Sequence, residues 1–453
     1  MKITLSNHLL VENMQPFLYD MLIHNLQMEN PKWIENEKMG RWNRDTPHFL
    51  EFYEKHPRKS LIVPRGYLRQ IITLSRQYGF NCELVDIRRH LPDVSFRFKG
   101  ELRSFQQTAV DAMLPRQFGA LNAPTGSGKT VMAAYMIAAR SQPSLIVVHT
   151  KELGLQWVSR LSEFLDVSED EIGLIGGGKK SIGPRITVAL VQSLYKCADE
   201  AAPKTGFLIV DECHRCPSRT FTEAVSRFDS RYMLGLSATP YRRDHLSKLI
   251  FLYLGDIHHQ VDKHGLVQSG DILAATVIQK STEFKPYFDA VREYSKMLAE
   301  LTADDARNLL IAEDVAKEAA KPDQVCLVLS DRKHHCETLQ AILRYRFDIT
   351  SELLTGDVAD AHRVQAVQRI RSGESNVLIA TGQLVGEGFD CPGLSVLFLA
   401  TPIRFRGRVL QYIGRVLRPA PEKKKATIYD YMDVHVGVLK HAAQDRMKIY
   451  NGF

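Results

Sequence analysis

The chain of 453 residues, 44% hydrophobic and 25% charged, has ordinary globular composition and room for about two or three cores. Its longest apolar runs are far too short to cross a bilayer and Met1–Asn7 is no secretory signal, so no membrane is involved and a cytoplasmic location is expected. Seven scattered cysteines exclude a disulfide framework, and the formal charge of +7 suits a polyanionic partner without identifying one.

In chain order, residues 1–96 read as a small α/β domain. Met1–Ser6 is an expected strand, Pro16–Leu26 a helix, Leu61–Gly66 a strand and turn, Tyr67–Tyr78 an amphipathic helix and Cys82–Asp86 a second short strand. Between them, Pro31–Arg44 interleaves Trp33 and Trp42 with Lys32, Lys38, Arg41 and Arg44. That pattern fits either phosphate and base contact or a core flanked by a solvated face.

From Glu101 strands alternate with helices, which argues for a parallel sheet covered on both faces. Gly119–Asn122 and Val131–Ala139 read as the strand and helix around Ala123-Pro124-Thr125-Gly126-Ser127-Gly128-Lys129-Thr130. Small residues there let backbone N–H groups close round phosphates at the positive end of a helix. Lys129 would reach the β- and γ-phosphates of ATP, and the Thr130 hydroxyl would sit on Mg²⁺. Gln106, about twenty residues upstream, has the donor and acceptor to read an adenine edge. Further strands are expected at Pro143–Thr150 and Ile186–Val191, with a helix over Leu153–Phe164.

The apolar run Phe207–Val210 ends in Asp211-Glu212, two acids at the sheet edge where such folds bind ligands. Asp211 would hold Mg²⁺, and Glu212 would orient and deprotonate the attacking water. Cys213-His214-Arg215-Cys216 has ligand-like spacing, yet no second Cys/His pair stands near it, so a zinc site is not expected. Met233–Pro240 reads as one more strand. Gly265–Gly270 is a plausible hinge, and Phe284–Lys317 reads as long helices with a solvated charged face.

Together these stretches resemble superfamily 2 helicases. Ala123–Thr130 is similar to motif I, Asp211-Glu212-Cys213-His214 to motif II in its DExH form, and Ser237-Ala238-Thr239 to motif III. Val325–Arg332 resembles motif IV, Val377–Gly382 with Gly386–Asp390 motif V, and Gln411–Arg418 the Q-x-x-G-R-x-x-R of motif VI. Leu102-Arg103-Ser104-Phe105-Gln106 and Gln156-Trp157 are similar to stretches of the XPB-like, type III restriction-type DNA helicases of bacteria and phages. Tyr241-Arg242-Arg243-Asp244 stands where XPB-like proteins carry Arg-Glu-Asp, with Arg243 in place of the acid.

The resemblance implies an α/β chain with two RecA-like parallel-sheet domains in tandem, 97–264 and 265–453, behind the small domain 1–96, a position where relatives touch duplex DNA. It implies catalytic roles for Lys129, Asp211, Glu212, Gln411, Arg415 and Arg418, the two arginines neutralising charge on the γ-phosphate. Nucleotide binding falls to Gln106, Pro124, Thr125, Gly126, Ser127, Gly128, Lys129, Thr130, Glu387 and Asp390, with Mg²⁺ on Thr130 and Asp211. Thr150, Gln192, Ser193, Ser330, Arg332, Thr381 and Gly382 would grip a nucleic-acid backbone. The implied activity is that of an ATP-dependent DNA helicase or translocase, 3′→5′, in repair, recombination or phage processes. It would act as a monomer on duplex, forked or single-stranded DNA, with a repair or nuclease partner in prospect. The alternatives are an RNA helicase, or the motor subunit of a restriction or defence nuclease that moves on duplex DNA without separating strands.

Overall fold

The computed structural model describes the chain except residues 216–218, 239–246, 359, 383, 385–390, 392, 404–405, 418–422, 424 and 451–453. It divides into two compact units, residues 1–123 with 128–261, and residues 262–453 with 124–127. The first 96 residues thus belong to the same unit as the sheet that follows them. Among the described residues no helix is long and apolar enough to cross a membrane.

The first unit opens with β1 (Lys2–Leu5), β2 (His8–Glu12), β3 (Gln27–Glu29), β4 (Phe49–Glu51), β5 (Glu54–His56), β6 (Ser60–Pro64) and β7 (Glu83–Asp86). Five of them form one sheet in the order β5-β6-β2-β1-β7, while β3 and β4 pair separately. Residues alternate in and out along β1 and β2, as expected of a sheet covered on one face. Ile3, Leu5, Leu9, Val11, Leu61 and Val63 point inward and meet the helices Pro16–Asn25 and Leu68–Gln77.

That core is completed by Leu249 and Leu252, from the helix Ser247–Leu254 far along the chain. Polar contacts reinforce the join. Arg65, 2% exposed, donates to Ser230 O at 2.9 Å and lies 3.0 Å from Met233 Sδ. Burial, helped by the nearby Arg88 charge, pulls its guanidinium down to about 9. A Cβ on Gly66 would run into the Phe251 carbonyl, so only glycine allows this approach. Arg89 pairs with Asp229, and Arg69 with Asp256. A chain begun near Arg97 would bare Leu249 and Leu252.

The main sheet of the unit uses β8 (Phe118–Asn122), β9 (Ser144–Val148), β10 (Gly173–Gly176), β11 (Lys179–Lys180), β12 (Ile186–Leu190), β13 (Phe207–Val210), β14 (Tyr232–Ser237) and β15 (Ile257–Gln260). Their order is β11-β10-β12-β9-β13-β14-β8-β15, parallel throughout except for the hairpin β10–β11. Every residue of β9 and β13 is buried, which is why both read as unbroken apolar runs.

The second unit is built on β16 (Ala275–Thr282), β17 (Val325–Ser330), β18 (Glu352–Leu354), β19 (Val377–Thr381), β20 (Leu394–Leu399) and β21 (Ala426–Asp433). All pair in parallel, in the order β16-β21-β20-β17-β19-β18.

Two expectations are corrected here. The proposed hinge 265–270 is largely helix, Lys263–Gln268. The helical reading of 284–317 holds only from Tyr294: helices run Tyr294–Ala303 and Asp305–Ala319. Before them Asp289 Oδ1 accepts from the N–H groups of Val291 and Arg292, and Glu300 Oε2 accepts from those of Tyr287 and Phe288. Side-chain acceptors satisfy these backbone donors, so 284–293 stays irregular despite its composition.

Candidate active site

The phosphate-loop stretch lies between β8 and the helix Lys129–Arg140. Ala123 N–H donates to Ser237 O on the neighbouring β14 at 2.9 Å, anchoring the point where the chain leaves the sheet. The turn needs two left-handed residues, Gly126 at φ 89° and Gly128 at φ 81°. At Gly128 a Cβ would also run into Gln106 Nε2. Ser127, 2% exposed, donates from Oγ to Pro124 O at 2.7 Å. The Thr125 hydroxyl is buried with no hydrogen-bond partner among the described residues. A bent loop of small residues at a helix N-terminus, with an orphaned hydroxyl, fits a polyphosphate.

Lys129 and the two acids converge at the same edge. Lys129 Nζ lies 3.4 Å from Ala123 O and 3.8 Å from Glu212 Oε1, with both side chains largely buried. Asp211 follows β13 and is 5% exposed. Its Oδ2 accepts from Trp157 Nε1 at 2.8 Å and its Oδ1 from the Glu212 N–H at 2.8 Å. Burial raises the Asp211 carboxyl to about 6; the Glu212 carboxylate adds to the rise and the Lys129 ammonium opposes it. Glu212 takes the left-handed conformation at φ 47°, unusual for a residue with a side chain and a mark of strain held by its surroundings.

His214 links this cluster to the next strand. Its Nδ1 is 3.0 Å from Ser237 Oγ, at the end of β14, and 3.2 Å from Glu212 Oε2. Neither Trp157 nor His214 was assigned a role from the sequence. The available signal was that Trp157, one of three tryptophans, sits on the helix after β9, next to β13.

The remaining nucleotide residues divide. Gln106 is buried; its Oε1 accepts from Arg103 N–H at 3.0 Å and its amide nitrogen faces Gly128, so the group expected at an adenine edge is turned to the loop. Glu387, Asp390 and Arg418 lie outside the described residues, as does the side chain of Gln411. So do Thr239 and Tyr241–Asp244. Arg415 is half-buried on the helix Arg406–Val416. Among the described residues no group of three His, Cys, Asp or Glu could hold a metal by itself, so an ion at Asp211 and Thr130 would need phosphate oxygens as well.

The expected nucleic-acid residues occupy strand ends. Thr150, Gln192 and Ser193 follow β9 and β12, adjacent parallel strands. Thr150 caps its helix by accepting from Leu153 N–H, and Gln192 is exposed. In the second unit Ser330 and Thr381 are register partners on β17 and β19. The expectation that their side chains grip a ligand meets an obstacle, because both are buried. Ser330 Oγ lies 2.9 Å from His335 Nδ1 and accepts from Arg332 N–H, while Arg332 Nη2 donates to Ser295 Oγ. A Cβ on Gly382 would run into Tyr412 Oη and Asp331, which brings motif V against motifs IV and VI within the unit.

Comparison with known proteins agrees with this anatomy. Residues 99–242 match the family described as type III restriction enzyme, res subunit, and residues 305–420 match the helicase conserved C-terminal domain. The chain is 30% identical over 362 residues to the DNA 3′-5′ translocase XPB2 of Sulfurisphaera tokodaii, covering 72% of this chain and 81% of that protein. It is 25% identical over 383 residues to the DNA 3′-5′ helicase XPB of Kineococcus radiotolerans, covering 81% of this chain and 66% of that one. Among solved structures, an HsdR-subunit fragment of a type I restriction enzyme from Vibrio vulnificus superposes with a TM-score of 0.59 at 19% identity. It covers 79% of this chain and 68% of the other, a likeness of fold. The chain therefore belongs to the superfamily 2 helicases of the XPB-like, type III restriction type: an ATP-hydrolysing enzyme built on two RecA-like parallel-sheet domains.

Proposed function

We propose that the chain is a DNA motor, coupling ATP hydrolysis to 3′→5′ movement on DNA or to its unwinding, in repair, recombination or phage processes. The convergence of Lys129, Asp211 and Glu212 beside a phosphate-shaped loop carries this reading. The DNA and polarity in it are drawn from the names of the relatives. Lys129 and the N–H groups of 126–130 would hold the β- and γ-phosphates. Mg²⁺, when bound, would neutralise phosphate charge, with Thr130 and Asp211 as its protein ligands.

Glu212 would accept the proton of the attacking water as the water oxygen bonds to the γ-phosphorus and the bond to the β–γ bridging oxygen breaks, releasing ADP and phosphate. Its contact with His214, and that of His214 with Ser237, supports a role for this pair in fixing the carboxylate's aim. Trp157 would keep Asp211 oriented. Arg415 and Arg418 are proposed as the cations that neutralise developing charge, an effect worth about 10³–10⁵ in rate. Residues 1–96 would contact DNA, and the strand-end residues of both sheets would follow its backbone.

Two measurements test the proposal. ATP turnover with no nucleic acid, duplex DNA, single-stranded DNA and RNA should rise with DNA, and a response to RNA alone would overturn the substrate. Glu212→Gln should bind ATP, lose turnover and accumulate bound to DNA. Near wild-type turnover in that variant would remove Glu212 from its role.

A further inference from the structure

Residues 27–53 leave the N-terminal sheet and return to it as a separate module. At its root β3 and β4 pair antiparallel, from Gln27 opposite Glu51 to Glu29 opposite Phe49. The helix Pro31–Lys38 starts on the Asn30 cap, and Asn30 Nδ2 donates across the module to Pro47 O at 2.9 Å. The loop beyond is tied by amides: Asn36 Nδ2 donates to Asn43 Oδ1 at 2.9 Å, and Asn43 Nδ2 to Trp33 O at 3.0 Å. Trp33 stacks on His48 with ring centroids 4.1 Å apart. These bonds give the module a defined shape although its helix has no fully buried side chain.

The two tryptophans that looked alike in the sequence thus part company. Trp33 is packed and half-buried, while Trp42 is 86% exposed at the tip, beside Met39 at 55%. From Lys38 to Arg44 the segment carries Lys38, Arg41 and Arg44, all exposed, with the exposed acids Glu37 and Asp45 on either side of it. At its root the module faces the rest of its own unit across a cleft. Phe52 and Tyr53 share a cleft of about 740 Å³ with Tyr195, which stands just after Gln192 and Ser193. Glu51 and Glu54 line that cleft too and would repel phosphate there.

We infer that Trp42 is a base-stacking residue for the unpaired nucleotide at a DNA junction, with Lys38, Arg41 and Arg44 on the flanking phosphates. An exposed indole between cations has the chemistry for this: a face for any base and charge for the backbone on either side. Asn43, the next residue, is tied to Asn36 and to Trp33 O, which fixes the backbone that carries the indole. The inference rests on the DNA-motor reading for its ligand.

The test uses the full chain and forked DNA carrying 2-aminopurine either at the first unpaired position or within the duplex. The wild type should quench the junction probe and leave the signal of the duplex probe, already dim through stacking on its neighbours, unchanged. Trp42→Ala should lose the quench and bind the fork on the order of tenfold more weakly, while Trp42→Phe keeps most of both. Arg41→Ala with Arg44→Ala should lower the salt dependence of fork binding. Because the side chain is exposed, melting of the Trp42 variants should match the wild type. Unchanged quench and affinity in Trp42→Ala would overturn the assignment, as would quenching of an RNA fork but not the DNA one. An intact quench without any DNA-stimulated turnover would strike the motor reading and leave the stacking site standing.

Discussion

At the carboxyl edge of the first unit's sheet, Lys129 and Glu212 face each other with side chains 11% and 16% exposed. At the corresponding edge of the second unit the described side chains bond to one another. Ser330 contacts His335, whose Nε2 lies 2.8 Å from Asn308 Oδ1, and Arg307 pairs with Asp433 with both side chains 1% exposed. Two parallel sheets of similar construction thus use the same edge differently. Among the described residues, one gathers Lys129, Asp211 and Glu212; the other joins Ser330 and Asp433 to neighbouring helices through buried contacts. Parallel strands bring their carboxyl ends together in either case, and the side chains placed there decide whether the edge reacts or braces.

The largest effect that would sharpen this contrast is expected at Lys129. On the proposed reading Lys129→Ala removes the cation that would hold the phosphates, and it should cut nucleic-acid-stimulated turnover by on the order of 10²–10³-fold or more. The melting temperature should hardly move. A variant that unfolds instead would mean that Lys129 is structural, and the difference between the edges would shrink.

Next comes Arg307, where the expected loss is in stability. Arg307→Ala leaves the Asp433 carboxylate buried without its cation, with the Thr282 hydroxyl still donating to it, and takes a donor from Ala400 O. Breaking a buried pair in this way costs about 3–5 kcal/mol. Denaturant unfolding should register a large drop in the midpoint assigned to the second unit. A change below roughly 1 kcal/mol would place the pair among ordinary surface contacts.

The effect spread most thinly, over several pH units, concerns acid. Burial, with the Arg307 charge beside it, pushes His335 from an ordinary 6.5 down to about 3. Between those values the unfolded chain binds a proton that the folded chain refuses, so stability is complete above pH 6.5 and is lost as pH falls toward 3. The slope from this ring approaches about 1.4 kcal/mol per pH unit. His335→Gln removes the titrating ring and should flatten the acid limb for the second unit. A limb of undiminished steepness would assign it to other groups.

How far each feature was legible depended on whether its cause is local. The phosphate loop could be read because its requirement falls on consecutive residues: Gly126 and Gly128 supply positive φ, and Lys129 starts the helix. Asp211 and Glu212 were legible because an unbroken apolar run, β13, ends at them. The stretch 284–293 misled because its letters suit a helix, while carboxylates at Asp289 and Glu300 capture its backbone donors. No local pattern reports that capture.

By itself the sequence determined the alternation of strands and helices, the phosphate chemistry and the pair of acids, since side-chain period and backbone conformation act over a few residues. The tertiary structure alone decided which partners complete them. Trp157 reaches Asp211 across 54 residues, and Leu249 and Leu252 finish a core begun at Ile3. It likewise buried Ser330, which composition leaves free to face a ligand, and separated packed Trp33 from exposed Trp42. Those outcomes depend on strand order and on what lies opposite each side chain, and neither is written in the spacing of neighbouring residues.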